Sequence, residues 1–192
     1  NPLWSARELR GEVVDVRKET EDSATVTIKP GWGFKGDYQP GQYVGIGLRV
    51  DGRWHWRSYS LTSIPKRDKK LISITVKHVR EGRMSPHFTR RIQPGATVFL
   101  GGVEGTFGLP DPLPPKLLFV SAGSGITPIM SITRTALAHG SGKIMLFYAN
   151  RDETSVIFAA ELAELAAEHP HRLVVVHWLE SVQGLPTQEQ MK

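Results

Sequence analysis

The sequence contains no cysteine among its 192 residues. This absence excludes disulfides, thiolate catalysis and cysteine-ligated zinc or iron–sulfur centres from the chain. Because secreted domains commonly rely on disulfides, we expect a cytoplasmic location. Long apolar runs are lacking too, since the apolar stretch at 117–130 is interrupted by glycines and a proline. We therefore expect no membrane span, and the first ten residues lack the apolar region of a signal peptide.

Charge is modest in total and uneven in distribution. The net charge is +5, and basic residues accumulate between Arg49 and Arg91, whereas acidic residues concentrate around Glu161 to Glu168. The basic region is either an ordinary solvated surface or a surface for phosphates or an acidic protein partner. No nucleic-acid-binding motif accompanies it, so nucleic acid is not an expected partner. The sequence also lacks HExxH, a nucleophile elbow and obvious paired carboxylates, and we assign no metal ligands.

The first half of the sequence reads as short strands separated by turns. Between Arg10 and Leu109, segments rich in β-branched and aromatic residues alternate with turn pairs such as Pro30-Gly31 and Asp51-Gly52. One short helix is expected near residues 85–92. Six strands at this spacing predict a small antiparallel β-barrel.

The second half, after the proline-rich residues 110–115, has a different periodicity. Apolar runs alternate with helical patterns, which predicts strands at 116–122, 143–150 and 172–180 and helices at 127–139 and 156–169. The first run is continuous, as in a parallel strand buried on both faces. The predicted fold is therefore two-domain, with a six-stranded antiparallel β-barrel over residues 1–112 and a partial α/β parallel-sheet domain over 113–192. Because three parallel strands make a thin sheet, we expect the natural protein to continue beyond Lys192.

A glycine-rich turn, Gly123 to Pro128, separates the first predicted parallel strand from its helix. Glycines allow the backbone to approach a pyrophosphate closely, and the helix N-terminus offers free N–H groups and a favourable dipole. The turn is not a Walker loop, and Pro128 stands near the place of the third glycine of a Rossmann fingerprint. Its position between strand and helix favours a dinucleotide-binding turn over a purely structural one.

The end of the second parallel strand bears on the choice of nucleotide. An arginine there suits the 2′-phosphate of NADPH, whereas an acidic residue suits the free 2′-hydroxyl of NADH. The strand ends in Asn150-Arg151-Asp152, so Arg151 indicates NADPH and Asp152 keeps NADH open. The alternative for Arg151 is a surface charge that flanks a helix.

Five motifs together resemble, in the same order, those of the ferredoxin–NADP reductase superfamily. They are Pro40-Gly41-Gln42-Tyr43 at a strand entry, Arg57-Ser58-Tyr59-Ser60 as the flavin signature, Gly82-Arg83-Met84-Ser85 as the second flavin segment, Gly105-Thr106-Phe107-Gly108-Leu109 as the closing turn, and Gly123 to Pro128 as the nicotinamide-nucleotide loop. The resemblance extends from about Gly11 to Leu179. It implies an FAD-binding barrel followed by a nicotinamide-nucleotide domain, with NADPH or NADH as co-substrate.

The resemblance also implies residue roles. Tyr59 packs on the flavin and hydrogen-bonds its ribityl chain, and Ser60 lies by flavin N5, so these two are the expected catalytic residues. The other expected cofactor-binding residues are Arg57 on a flavin phosphate, Gly82, Arg83, Met84 and Ser85 on the pyrophosphate, and Gly123, Gly125, Thr127, Pro128 and Arg151 on the nicotinamide nucleotide. FMN in place of FAD stays open, because some relatives use it. Glu180-Ser181 stands where many NADP-dependent relatives have Ser-Arg, which counts against NADPH.

The implied activity is that of a reductase. It would pass electrons from NAD(P)H through FAD to an iron–sulfur protein or ferredoxin domain that serves an oxygenase or a membrane desaturase. The basic region, including Lys69 and Lys70, would then dock an acidic acceptor. Two alternatives stay open: a flavin-binding module without turnover, and the reductase half of a larger fused enzyme such as a flavohaemoglobin.

Overall fold

A computed structural model of the chain describes residues 9–65, 71–185 and 187. The first half forms six strands and one short helix, close to the sequence prediction. These elements are β1 (Leu9–Thr20), β2 (Ser23–Pro30), β3 (Tyr43–Val50), β4 (Arg53–Ser60), β5 (Ile72–Lys77), α1 (Ser85–Arg90) and β6 (Thr97–Glu104). Helix α1 ends two residues before the predicted end.

The six strands form an antiparallel barrel, as predicted. Their order is β4-β3-β6-β1-β2-β5, and a bridge between Leu61 and Ile74 joins the two outer strands. Alternate side chains point inward and create an aliphatic core, which Phe88 of α1 completes. The fully buried residues Val26, Ile46 and Ile74 lie at its centre. Before Leu61, β4 pairs with β3 alone among the described strands, so its other edge is left without a ladder to β5.

The second half forms a parallel sheet of order β7-β8-β9 with connecting helices. Its elements are β7 (Lys116–Ala122), α2 (Ile126–His139), β8 (Lys143–Asn150), α3 (Ala159–Glu168), β9 (Leu173–Leu179) and α4 (Glu180–Gln183). This confirms the predicted βαβαβ arrangement. Helix α3 begins later than predicted, because Asp152 caps a separate turn at Glu153–Ser155 and Phe158 takes a left-handed φ of 62°. The short α4 was not predicted.

The expectation that β7 is buried on both faces is wrong. Leu118 and Val120 of β7 are 66% and 58% exposed, and they continue an apolar face with Met145, Val174 and Val176. The reason is that α2 and α3 both pack on the opposite face, in one core with Leu146 and Tyr148. Within the described part of the chain, the Leu118 face carries no helix.

Residues 105–115 connect the two sheets without forming a helix or strand. The predicted domain boundary at residue 112 falls in this connection and stays a prediction. Among the helices that the structure describes, none has the length and apolarity needed to cross a bilayer.

Replacing Ile74 by alanine should destabilise the barrel. The side chain is fully buried at the closure of the barrel, so the cavity left behind should lower the free energy of unfolding by about 2–5 kcal/mol. Val14→Ala is the matched control, because Val14 of β1 is 37% exposed in the same sheet. Chemical denaturation of both variants gives the comparison, and equal losses would contradict the assigned core.

Candidate functional site

A cavity of about 610 Å³ opens between the barrel and the glycine-rich turn of the parallel sheet. Its wall combines three segments that are distant in sequence: Arg57 to Ser60 at the end of β4, Thr75 to Ser85 without Arg80 from β5 to the start of α1, and Ser124 with Thr127 at the start of α2. The volume lies in the range of small-molecule and cofactor sites. The structure thus brings both predicted flavin motifs together with one residue pair of the predicted nicotinamide loop.

Tyr59 forms an aromatic part of this wall. Its ring meets Phe88 edge to face, with the ring centroids 5.3 Å apart. Burial raises the pKa of Tyr59 to about 12, although the nearby charge of Arg57 acts in the opposite direction. The phenol therefore stays protonated at physiological pH and can donate a hydrogen bond. The next residue, Ser60, is partly buried and also lines the cavity.

Arg57 presents a guanidinium at the cavity wall. One of its nitrogens, Nη1, donates to the Trp56 carbonyl at 2.7 Å, and a guanidinium has five N–H donors in all. Trp56 itself lies across Gly47, where an added Cβ would come within 2.7 Å of the indole ring. Arg57 is exposed, so a charged ligand can reach it without first breaking an ion pair among the described residues.

The segment before α1 is shaped for close backbone approach. A Cβ at Gly82 would lie 2.6 Å from the Ser85 hydroxyl and 3.1 Å from the Val79 carbonyl, so glycine is required there. The Val79 amide donates to that hydroxyl at 3.0 Å. No side chain caps the start of α1, while Met84 is buried and Arg83 adds an exposed positive charge. Backbone amides, a hydroxyl and a cation in one turn suit a pyrophosphate.

A hydrogen bond from the neighbouring strand β8 anchors the turn before α2. Gly123 has a φ of +50°, which favours glycine, and the hydroxyl of the buried Tyr148 donates to its carbonyl at 2.9 Å. Nothing lies within 4 Å of a Cβ added at Gly123, so the space above the turn is free for a ligand. Thr127 donates to the Ser124 carbonyl at 3.0 Å, and Pro128 lies in the first turn of α2, as predicted. Gly123, Gly125 and Pro128 shape the turn without lining the cavity.

Arg151 is the predicted site residue that lies apart from the cavity. Its Nη2 is 3.6 Å from the Asp22 carboxylate in the β1–β2 turn, and its side chain is 67% exposed. Asp152 is occupied locally: its carboxylate accepts from the Ser155 amide, and hydrogen bonding from Thr154 lowers its pKa. Asp152 is therefore a cap of the following turn. Of the two side chains, that of Arg151 is the one more accessible to a nucleotide.

Two of the five motifs contact each other instead of the cavity. The side-chain amide of Gln42 donates through Nε2 to the Gly105 carbonyl at 3.0 Å. A Cβ at Gly41 would lie 2.4 Å from the Phe107 carbonyl, and the φ of Gly41 is +94°. The strand-entry and closing-turn motifs therefore brace the barrel next to the second sheet, with the Ile132 side chain of α2 also within 3.0 Å of that Cβ position.

Sequence reasoning missed several residues of the cavity wall, notably Lys77 and His78 at the end of β5. His78 Nδ1 is buried and has no hydrogen-bond partner among the described residues. Their place in the sequence could have identified them, because Lys77 and His78 lie shortly before the Gly82–Ser85 motif. Together, a cationic and amide-rich end and an aromatic wall fit a flavin nucleotide, and the open glycine turn fits a second dinucleotide.

Comparison with known proteins agrees with this geometry. Residues 16–108 match the family described as the oxidoreductase FAD-binding domain, and residues 119–192 match the oxidoreductase NAD-binding domain. The chain is 55% identical to an NADPH oxidoreductase of Mycobacterium tuberculosis over 91% of the chain and 47% of that protein. It is 43% identical to the ferredoxin reductase component of 3-ketosteroid-9-alpha-monooxygenase of Mycolicibacterium smegmatis, over 93% of the chain and 52% of that protein. The chain thus spans about half the length of the curated relatives it matches.

Solved structures share the fold. The FAD/NAD-binding domain of nitric oxide dioxygenase from Vibrio cholerae superposes with a TM-score of 0.79 at 28% identity, over 91% of this chain and 76% of that one. A ferredoxin–NADP+ reductase from Neisseria gonorrhoeae with bound FAD and NADP gives 0.77 at 22% identity, over 94% and 71%. The chain therefore belongs to the ferredoxin reductase-like family of oxidoreductases, in which an FAD-binding domain precedes an NAD-binding domain.

Proposed function

We propose that this chain is the flavin and nicotinamide part of a reductase that passes electrons from NAD(P)H through FAD to an iron–sulfur acceptor. The observation that carries the proposal is the single cavity that joins Arg57–Ser60 and Gly82–Ser85 to Thr127. FAD, when bound, would supply the redox chemistry, as acceptor of a hydride from the nicotinamide and donor of electrons to the iron–sulfur acceptor. The chain contributes binding, orientation and exclusion of water, which need no catalytic acid or base.

The positions of the side chains in the cavity wall support the flavin roles that the resemblance implies. Arg57 and the amides of residues 82–85 would hold the FAD phosphates, helped by Arg83 and the Ser85 hydroxyl. The protonated Tyr59 hydroxyl would donate to the ribityl chain while the ring packs on the flavin. Ser60 would lie beside flavin N5, where its hydroxyl donates to that atom. The match to an FAD-binding family supports FAD over FMN.

The nicotinamide roles fall on the turn before α2. Gly123 and Gly125 would admit the pyrophosphate to the helix N-terminus, and Pro128 would fix the first turn of that helix. Thr127 would place the nicotinamide ring over the flavin, because Thr127 is the residue of α2 that lines the cavity. Proximity of the two rings is the main contribution that the protein makes to the reaction.

The kind of electron acceptor is inferred from the names of the relatives. Several are named as ferredoxin reductase components of monooxygenase or dioxygenase systems, which favours an oxygenase over a desaturase as the final consumer of electrons. Docking of an acidic acceptor on the basic region stays a prediction, and Lys69 and Lys70 lie outside the described residues. A cytoplasmic location likewise stays a prediction.

A fused enzyme of the flavohaemoglobin type is the second candidate. A flavohemoprotein of Deinococcus radiodurans is 33% identical over 86% of the chain, and the Vibrio cholerae domain comes from a related type. The higher identity to the NADPH oxidoreductase and to the ferredoxin reductase components favours the first candidate. A flavin module without turnover is the third, and the titration below separates it from the other two.

Anaerobic titration of the purified, FAD-loaded protein with NADPH or NADH should bleach the visible flavin absorbance. The reason is that the cavity places the predicted nicotinamide turn beside the flavin motifs. Retained flavin that neither nucleotide bleaches would contradict the reductase proposal and favour the binding module.

Arg57→Ala should weaken FAD binding by about 10- to 100-fold, since a hydrogen bond to a charged group contributes about 1.5–3 kcal/mol. Equilibrium dialysis with FAD measures the effect. Arg53→Ala is the matched control, because Arg53 is an exposed arginine at the opposite end of the same strand and does not line the cavity. Equal affinities of the two variants would contradict the assignment of Arg57.

Arg151→Ala should raise the KM for NADPH by roughly tenfold and leave the KM for NADH unchanged, because a guanidinium binds the 2′-phosphate that NADH lacks. Steady-state kinetics with both nucleotides give the comparison. Asp22→Asn is the control, since it removes the 3.6 Å ion pair but keeps the arginine. If Arg151→Ala changed both KM values alike, the arginine would have no part in nucleotide choice.

A further inference from the structure

We propose that Arg134 is a positioning residue that fixes the flavin-binding strand relative to the nicotinamide-binding turn. This inference rests on the proposed function, and it concerns how the two halves of the site are held together. Arg134 lies on α2, about two helical turns after Thr127. It does not line the cavity that holds the flavin motifs.

The Arg134 guanidinium makes contacts through each of its three nitrogens and through its face. Nη1 donates a short hydrogen bond to the Thr62 carbonyl, which belongs to the barrel. Nε and Nη2 form a two-pronged contact with the Glu161 carboxylate at 2.7 and 2.6 Å. The guanidinium also lies over the Phe158 ring, 5.4 Å from its centroid. The side chain is only 15% exposed, so solvent screens these contacts weakly.

The acceptor in the barrel is directly connected to the flavin strand. Thr62 follows Ser60 by two residues and is fully buried, and its amide donates to the Ser73 carbonyl at 2.8 Å. The neighbouring carbonyl, that of Ser63, accepts from Ser131 of α2 at 2.8 Å. Two side chains of one helix therefore hold two consecutive carbonyls at the end of the strand that carries Arg57 to Ser60.

A second connection runs from the same carboxylate back to the barrel. Glu161 of α3 lies 3.5 Å from the Arg17 guanidinium of β1. Arg134 and Arg17 thus share Glu161, so the α2–α3 pair contacts the barrel at two separated points. Because α2 begins at the glycine turn, any shift of Thr62 against Arg134 changes the distance between Ser60 and Thr127.

The chemistry requires arginine. A lysine has one nitrogen, so it cannot serve the Thr62 carbonyl and both Glu161 oxygens in the same fixed geometry. A misplacement of reacting groups by about 1 Å can reduce a rate by about 10²-fold. We therefore expect Arg134→Lys to slow the transfer between the two cofactors while both cofactors still bind.

The test compares Arg134→Lys with Arg172→Lys in the FAD-loaded protein. Arg172 also holds three carbonyls, those of Ala136, Leu137 and Gly142 at 2.9–3.2 Å, but all belong to the second half of the chain. Rapid-mixing kinetics with saturating NADPH should show a limiting rate of flavin reduction that is about 10- to 100-fold lower for Arg134→Lys. FAD content, NADP+ affinity and the rate of Arg172→Lys should stay at the wild-type level.

Calorimetry supplies a readout without turnover. The wild-type protein should unfold in one transition, and Arg134→Lys should show two, because the barrel and the parallel sheet lose their coupling. Ser131→Ala removes only the hydrogen bond to Ser63 and should lower the limiting rate by a smaller factor. This variant keeps the proposal testable if Arg134→Lys does not fold.

The proposal is wrong if Arg134→Lys and Ser131→Ala both keep the wild-type limiting rate of flavin reduction and both unfold in a single calorimetric transition. It is also wrong if Arg172→Lys slows flavin reduction as much as Arg134→Lys does, since the effect would then be general destabilisation. Wild-type flavin that neither NADPH nor NADH reduces would instead contradict the proposed function. In that case the number of calorimetric transitions alone decides whether Arg134 couples the two halves.

Discussion

The bridge between Leu61 and Ile74 is the constraint on which the rest of the site depends. It closes the barrel where β4 ends, so that Tyr59 and Ser60 line the cavity while the next carbonyls turn toward α2. Beyond the bridge, β5 leads directly into the Gly82–Ser85 segment. One closure point therefore fixes the flavin strand, the phosphate-binding turn and the contact with the second sheet.

Under the proposed function, positive potential and backbone shape would recognise the ligands. Arg57, Arg83, the uncapped start of α1 and the glycine turn before α2 all offer donors to negative groups. Two dinucleotides carry such groups at their pyrophosphates, and each of the two turns suits one of them. The aromatic wall at Tyr59 is left for a flat ring. This division explains why the chain needs no catalytic acid or base: orientation is what the protein adds to the cofactors.

Local patterns predicted most of the fold, and long-range contacts account for what they missed. The barrel strands and the βαβαβ order follow from side-chain periodicity and turn residues, and the flavin motifs follow from their order along the chain. The exposure of Leu118 depends on which face of the sheet the helices α2 and α3 cover, which the periodicity of one strand does not encode. The Arg134–Thr62 and Arg151–Asp22 contacts join residues far apart in sequence, so no spacing signals them. The Asp152 cap was readable, because aspartate is among the residues most favoured at an N-cap.

A crystal structure of the chain with FAD would decide whether the cavity is the flavin site. We expect a flavin ring against Tyr59, with N5 toward Ser60, and a pyrophosphate along residues 82–85 within reach of Arg57. The nicotinamide side of the ring should face Thr127. A flavin bound outside this cavity, or one whose pyrophosphate rests on the turn at 123–127, would contradict the assignment of the two motifs.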